Sequence, residues 1–308
     1  EDKGGIVNVY YVACGGSYAG LHPGKYFLQS EAKKVTVDHY TANEFCHATP
    51  KALGPNSIVI TQSHSGTTPE TVKAAEIAQK AGAASVVITF DDQSPLAKNG
   101  DYVLKYEAKA TADMTGMAFG LKLAVEILNQ IEGYENYDEM MNGFDRIDGI
   151  VKHAKEFLTP RAKVFAEEYK DEKLIYMMGS GANYNVAYSF AICLLMEMQW
   201  VNSSAIHSGE YFHGPFEITD RETPFIILMS EGRTRPLDQR ALDFLNRFAE
   251  KVIVLDAKEL GLETIDDKVS EFFNPLLMGA ALGCYSYELS IARKHPLSCR
   301  RYMWKLQY

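Results

Sequence analysis

Short runs rich in β-branched and aromatic residues alternate along the chain with longer stretches whose apolar positions recur every three or four residues. That alternation predicts strands joined by helices, and therefore parallel sheets covered on both faces. The first series opens with a strand from Ile6 to Ala13, which breaks at Cys14-Gly15-Gly16-Ser17 into a helix reaching about Ser30. Strands are expected at Lys34 to Asp38 and Ser57 to Thr61, a helix from Pro69 to about Ala81, then strands at Ala84 to Thr89 and Tyr102 to Lys105. From Met114 to about Lys170 the pattern is helical, with polar breaks around Gly133 and Gly143. A second series follows: strands at Lys173 to Met178, Ser204 to His207, Pro224 to Met229 and Val252 to Asp256, and helices around Glu197, at Leu237 to Glu250 and at Asn274 to Arg293. Two similar strand-loop-helix openings half a chain apart point to an internal duplication. The expected fold is α/β with two domains, residues 1–150 and 151–308, each a parallel sheet flanked by helices.

Length agrees, since 308 residues suffice for two domains that each bury a core. A hydrophobic share of 46% and a charged share of 23% are those of a globular protein. The net charge of −9 argues against a nucleic-acid partner and means that an anionic ligand must be held by local donors. No apolar run approaches a membrane span, and no signal-peptide pattern opens the chain. The five scattered cysteines form no CxxC pair and read as reduced thiols of a cytoplasmic protein. The chain begins at Glu1, almost directly on a strand, which leaves room for a short leading segment.

The loop after the third strand carries the clearest chemistry. Ser63, Ser65, Thr67 and Thr68 crowd four hydroxyls around Gly66 and His64 immediately ahead of a helix, with Pro69 in its first turn and Glu70 at the positive end of the dipole. Free N–H groups, hydroxyls and the dipole together suit a phosphate. The plainer reading is that these residues only cap the helix, for which one hydroxyl would suffice. Gly16 and Ser17 occupy the corresponding place after the first strand. Glu197 is the second candidate: a lone carboxylate in Phe190-Ala-Ile-Cys-Leu-Leu-Met-Glu197, where lost hydration would favour a proton acceptor. His213 on the turn downstream is its expected partner, and a helix-rim position facing water is equally compatible with the pattern.

Other motifs weigh less. No GxGxxG or GK[ST] run supports a nucleotide site. The Glu44/His47 and Glu210/His213 pairs lie in short segments rather than on the long facing helices of di-iron bundles, so no metal is expected. Glu210 either orients His213 or begins a short helix, His207 reads as a packed strand-end residue, and His64 either contacts phosphate or faces solvent.

The Ser63-His-Ser65-Gly-Thr-Thr68 loop resembles the SxSGxT phosphate loop of sugar isomerase (SIS) domains, and the spacing from Glu197 to His213-Gly-Pro resembles the isomerase half of glucosamine-6-phosphate synthase. The likeness spans nearly the whole chain. It is greatest to deglycases of phosphorylated sugar-amino acid adducts, through the Gly209-Glu-Tyr-Phe-His-Gly-Pro-Phe-Glu217 run and the His295-Pro to Lys305 ending. It implies two tandem SIS domains of flavodoxin-like three-layer form, with Ser63, Ser65, Thr68 and Ser17 binding a sugar 6-phosphate. It also implies Glu197 moving a proton between C1 and C2, His213 opening the sugar ring, no cofactor, and a homodimer that shares its active sites. The activity implied is release of a hexose 6-phosphate and a free amino acid. An aldose-ketose isomerase, a non-catalytic sugar-phosphate sensor and, last, a nicotinamide-dependent oxidoreductase are the alternatives. Where the synthase carries an imine-forming lysine, this chain has Arg301, which cannot serve that purpose. With no glutaminase segment ahead of Glu1, ammonia channelling is not expected.

Overall fold

The computed structural model describes residues 5–107 and 112–307, without the side chains of 112–114. It divides into two compact units, Glu1–Tyr137 and Asp138–Tyr308. The division falls at the start of a long helix, Tyr137–Tyr169, inside which the expected 150/151 boundary lies.

The first unit is built on five parallel strands: β1 (Asn8–Ala13), β2 (Thr36–Thr41), β3 (Ser57–Gln62), β4 (Ala84–Thr89) and β5 (Tyr102–Lys105), in the order β2-β1-β3-β4-β5. Every residue of β4 is buried, and so are most of β1 and β3, because helices cover both faces of the sheet centre. Helix α1 (Gly15–Glu31) crosses from β1 to β2, α2 (Ala42–His47) follows β2, α3 (Pro69–Lys80) joins β3 to β4, and α4 (Ala112–Glu132) closes the unit. The approach of α1 to α4 requires small residues: a Cβ on Gly24 would lie 2.3 Å from the Gly120 carbonyl oxygen. Most expected boundaries agree with these; β1 begins at Asn8 rather than Ile6, and two further differences follow. β2 begins at Thr36 rather than Lys34 because parallel pairing with β1 runs from Asn8↔Thr36 to Ala13↔Thr41. Helix α2 was not expected; Thr41 starts it by accepting the Glu44 N–H at 3.4 Å.

The second unit carries β6 (Leu174–Gly179), β7 (Asn202–His207), β8 (Phe225–Met229) and β9 (Val252–Asp256), all parallel, in the order β7-β6-β8-β9. Helices α5 (Tyr137–Tyr169), α6 (Tyr184–Ser189), α7 (Arg235–Phe248) and the largely buried α8 (Asn274–Ala292) flank the sheet. A break at Gly133 is present, with that residue at φ +75°. The second expected break, at Gly143, is absent: α5 runs through it, since the missing side chain makes room for the Phe273 ring, which a Cβ would meet at 2.5 Å.

Candidate active site

Both sheets reverse strand order next to their first strand, and ligands of open α/β sheets bind in the crevice outside the strand C-termini at such a point. In the first sheet β1 lies between β2 and β3, and the reversal falls between β1 and β3. Ala13 pairs with Gln62, so the loops leaving β1 and β3 emerge side by side, each feeding a helix N-terminus. Gly16 and the half-buried Ser17 lie in the first turn of α1, and Ser63 to Thr68 precede α3.

Within the second loop the hydroxyls bond to one another rather than to the helix. Ser63 Oγ meets Thr68 Oγ1 at 2.9 Å, and Ser65 Oγ meets Thr67 Oγ1 at 2.7 Å. Thr68 is the N-cap of α3 yet makes no side-chain capping bond, so the plainer reading does not describe what its hydroxyl does. Gly66 at φ +67° makes this fold of the loop possible. Its N–H bonds to Ser63 Oγ at 3.2 Å, its carbonyl accepts from Leu96, and a Cβ there would sit 2.1 Å from Ser94 Oγ. His64 is tied at 3.0 Å to Tyr106 Oη through Nδ1 and packs on Phe90. The loop is therefore a braced set of short donors around a helix end, suited to a phosphate.

The equivalent crevice of the second sheet is filled from within. Asp238, in the first turn of α7, is fully buried and accepts the Ser230 N–H at 3.0 Å. Burial pushes its carboxyl up from the ordinary range, against hydrogen bonds from the Ser208 hydroxyl and the Ser230 amide. Asn274 bonds both ways to the backbone of Glu231, at 2.9 and 2.7 Å, and Glu271 holds the Arg233 N–H at 3.0 Å. An internal carboxylate and amide thus bond into the loop that follows β8, where the first unit carries its hydroxyl loop.

Glu197 lies elsewhere in this unit. Helix α6 continues as a π-helical segment, Phe190–Met198, a rare form often found at functional sites, and Glu197 sits at its end. Its side chain is 22% exposed, neither sealed in nor on an open rim. Its carboxylate forms an ion pair with Arg300, Nη2 to Oε1 at 2.7 Å. His213 is exposed on a turn, its N–H bonded to the Glu210 carbonyl. A carboxylate among leucine and methionine is costly without a counter-charge, and Arg300, 7% exposed, supplies it.

The C-terminal segment is what brings that charge in. Trp200 adopts φ +55°, a strained conformation for a bulky residue, and ends the π segment. His295 packs on its ring at 4.5 Å and Arg301 lies over it at 4.3 Å, while Gln199 donates to the His295 carbonyl at 2.8 Å. Glu197, Trp200, Asn202, Arg300, Arg301 and Tyr302 line a cleft of about 540 Å³. His207 caps β7 by accepting the Gly209 N–H and packing on Tyr184, a structural role. Arg300 was missed by sequence reasoning. Its nearest signal, the Arg300-Arg301 pair in a basic, aromatic tail, does not say which arginine turns inward.

Among the described residues no group of three or more His, Cys, Asp or Glu side chains could hold a metal ion, and no helix is long and apolar enough to cross a membrane. All five cysteines are free thiols.

The chain is 45% identical to fructosamine deglycase FrlB of Bacillus subtilis over 98% of its length and 93% of that protein. It is 26% identical to fructoselysine 6-phosphate deglycase of Escherichia coli K12 over 97% of this chain and 86% of that one. Among solved structures, one from Salmonella typhimurium LT2, described as a proposed phosphosugar isomerase, superposes with a TM-score of 0.96 at 48% identity, covering 100% of this chain and 93% of that one. The SIS domain model matches residues 7–130 and 168–261, which include β1 to β9, the hydroxyl loop and Glu197, and the chain belongs to the SIS domain family.

Proposed function

We propose that the chain is a deglycase that cleaves 6-phosphorylated Amadori adducts of amino acids, such as fructoselysine 6-phosphate, glucoselysine 6-phosphate or 6-phosphofructose-aspartate. Ser63, Ser65 and Thr68, with Ser17, hold the phosphate. His213 opens the sugar ring. Glu197 takes a C1 proton from the open-chain 1-amino-1-deoxyfructose 6-phosphate, and C2 is reprotonated. The resulting C1 imine adds water and breaks its C–N bond, giving the hexose 6-phosphate and the free amine. The substrate brings its own nitrogen, so Arg301 need not form an imine. The protein works as a cytoplasmic homodimer whose subunits share active sites.

The observation that carries this reading is the Glu197 carboxylate, held by Arg300 at the wall of an open cleft, in a chain 45% identical to a fructosamine deglycase. A panel of 6-phosphorylated sugar-amino acid adducts, assayed for both hexose 6-phosphate and free amine, tests it; equimolar release of both is expected, and hexose phosphate interconversion without amine would sink it. That second outcome is the isomerase reading, favoured by the description of the 48%-identical Salmonella structure.

A further inference from the structure

The deglycase reading assigns no task to Arg300, yet this residue is the most constrained cation of the second unit's cleft. Its side chain is only 7% exposed. Nη1 donates to the carbonyls of Leu297 and Cys299, both at 2.7 Å, and the Trp304 ring lies 5.1 Å from its central carbon. Lys305 bonds to the Arg300 carbonyl oxygen, which ties down the backbone at the same point. Its Nε is buried without a partner among the described residues, an arrangement that tail folding alone would not favour. What remains is Nη2, aimed at Glu197.

We propose that Arg300 is the positioning residue of this site, fixing the Glu197 carboxylate at the cleft wall in the orientation from which it exchanges a proton with substrate. A glutamate has three side-chain torsions, and an ion pair to a fixed guanidinium restricts them. A guanidinium fork braced on two carbonyls and an indole sets them by geometry, as a flexible lysine could not. Misplacement of a reacting group by about 1 Å can cost ~100-fold in rate. This proposal rests on Glu197 being the proton acceptor, as in the function proposed above.

The test uses the full chain with a 6-phosphorylated adduct that it cleaves. R300Q is expected to lower kcat by about 100-fold while KM stays within about threefold. R300K, which keeps the charge without the fork, is expected to fall at least fivefold and to lie between R300Q and wild type. In an E197Q background R300Q is expected to cost less than threefold more, because a residue that acts only through Glu197 has nothing left to position. An equal loss in the E197Q background, or a raised KM with unchanged kcat, overturns the proposal. So does wild-type kcat in folded R300K, which decides the matter if R300Q does not fold. Exchange of the C1 hydrogen of fructose 6-phosphate with solvent deuterium separates the two proposals. If wild type exchanges but releases no amine, the deglycase reading falls and Arg300 is judged on exchange rates by the same ratios. If wild type does neither, both fall.

Discussion

Gly66 shows how little room the hydroxyl loop has. At φ +67°, with a would-be Cβ 2.1 Å from Ser94 Oγ, it accepts no side chain without moving the loop. The Gly66→Ala variant is expected to lose roughly 1–3 kcal/mol of stability and at least about tenfold in affinity for a hexose 6-phosphate, read by denaturant titration and calorimetry. Unchanged phosphate affinity would remove this loop from the binding site. Glu197→Gln keeps the size of the side chain and removes the base. It should bind phosphosugar as before while turnover falls by about 10²- to 10⁴-fold, and a variant with normal turnover would exclude Glu197 from the chemistry. His213→Ala, exposed on its turn, should hurt a cyclic substrate more than a ring-opened analogue, whereas equal losses would contradict ring opening.

Among elements, α5 and the π segment show where packing overrides local preference. Gly143 reads as a helix break, and replacing a mid-helix glycine by alanine ordinarily gains about 1 kcal/mol. Here a Cβ would enter the Phe273 ring at 2.5 Å, and that ring is fully buried and wedged against Phe144 at 5.1 Å. Overpacking costs about 1–3 kcal/mol, so Gly143→Ala is expected to destabilise the second unit, and a raised melting temperature would refute the packing argument. The place of the hydroxyl loop was legible because a glycine and Pro69 mark the turn from β3 into the first turn of α3. The π form of Phe190–Met198 was not, because its apolar run fits an α-helix equally well.

For the molecule as a whole, acid sensitivity follows from a histidine cluster in the first unit. Burial holds His22 well below its ordinary value and His39, stacked on Tyr18 at 3.8 Å, down to about 3. Both bind their proton more readily in the unfolded chain, so stability is complete above about pH 6.5 and is lost as pH falls from there toward the folded-state values. Each contributes a slope of about 1.4 kcal/mol per pH unit, so unfolding free energy should drop between pH 7 and 5. His39→Phe, which keeps the ring, should flatten that drop by about one proton, and an unchanged slope would exclude His39 as its source. Asp238 acts oppositely: its carboxyl is raised by burial, so its contribution grows as pH falls through the folded-state value. Asp256, held low against its burial by Arg235, adds a loss only below about pH 3.8.

The sequence by itself determined the two parallel sheets, most element boundaries, the hydroxyl loop and the prominence of Glu197, because strand and helix periods, turn residues and helix-end chemistry are local properties. The tertiary structure alone decided that Asp238 accepts the Ser230 N–H, that Gly143 stays helical and that Arg300 meets Glu197. Each of those joins residues far apart in the chain, and no local pattern encodes which distant side chain will share a buried space.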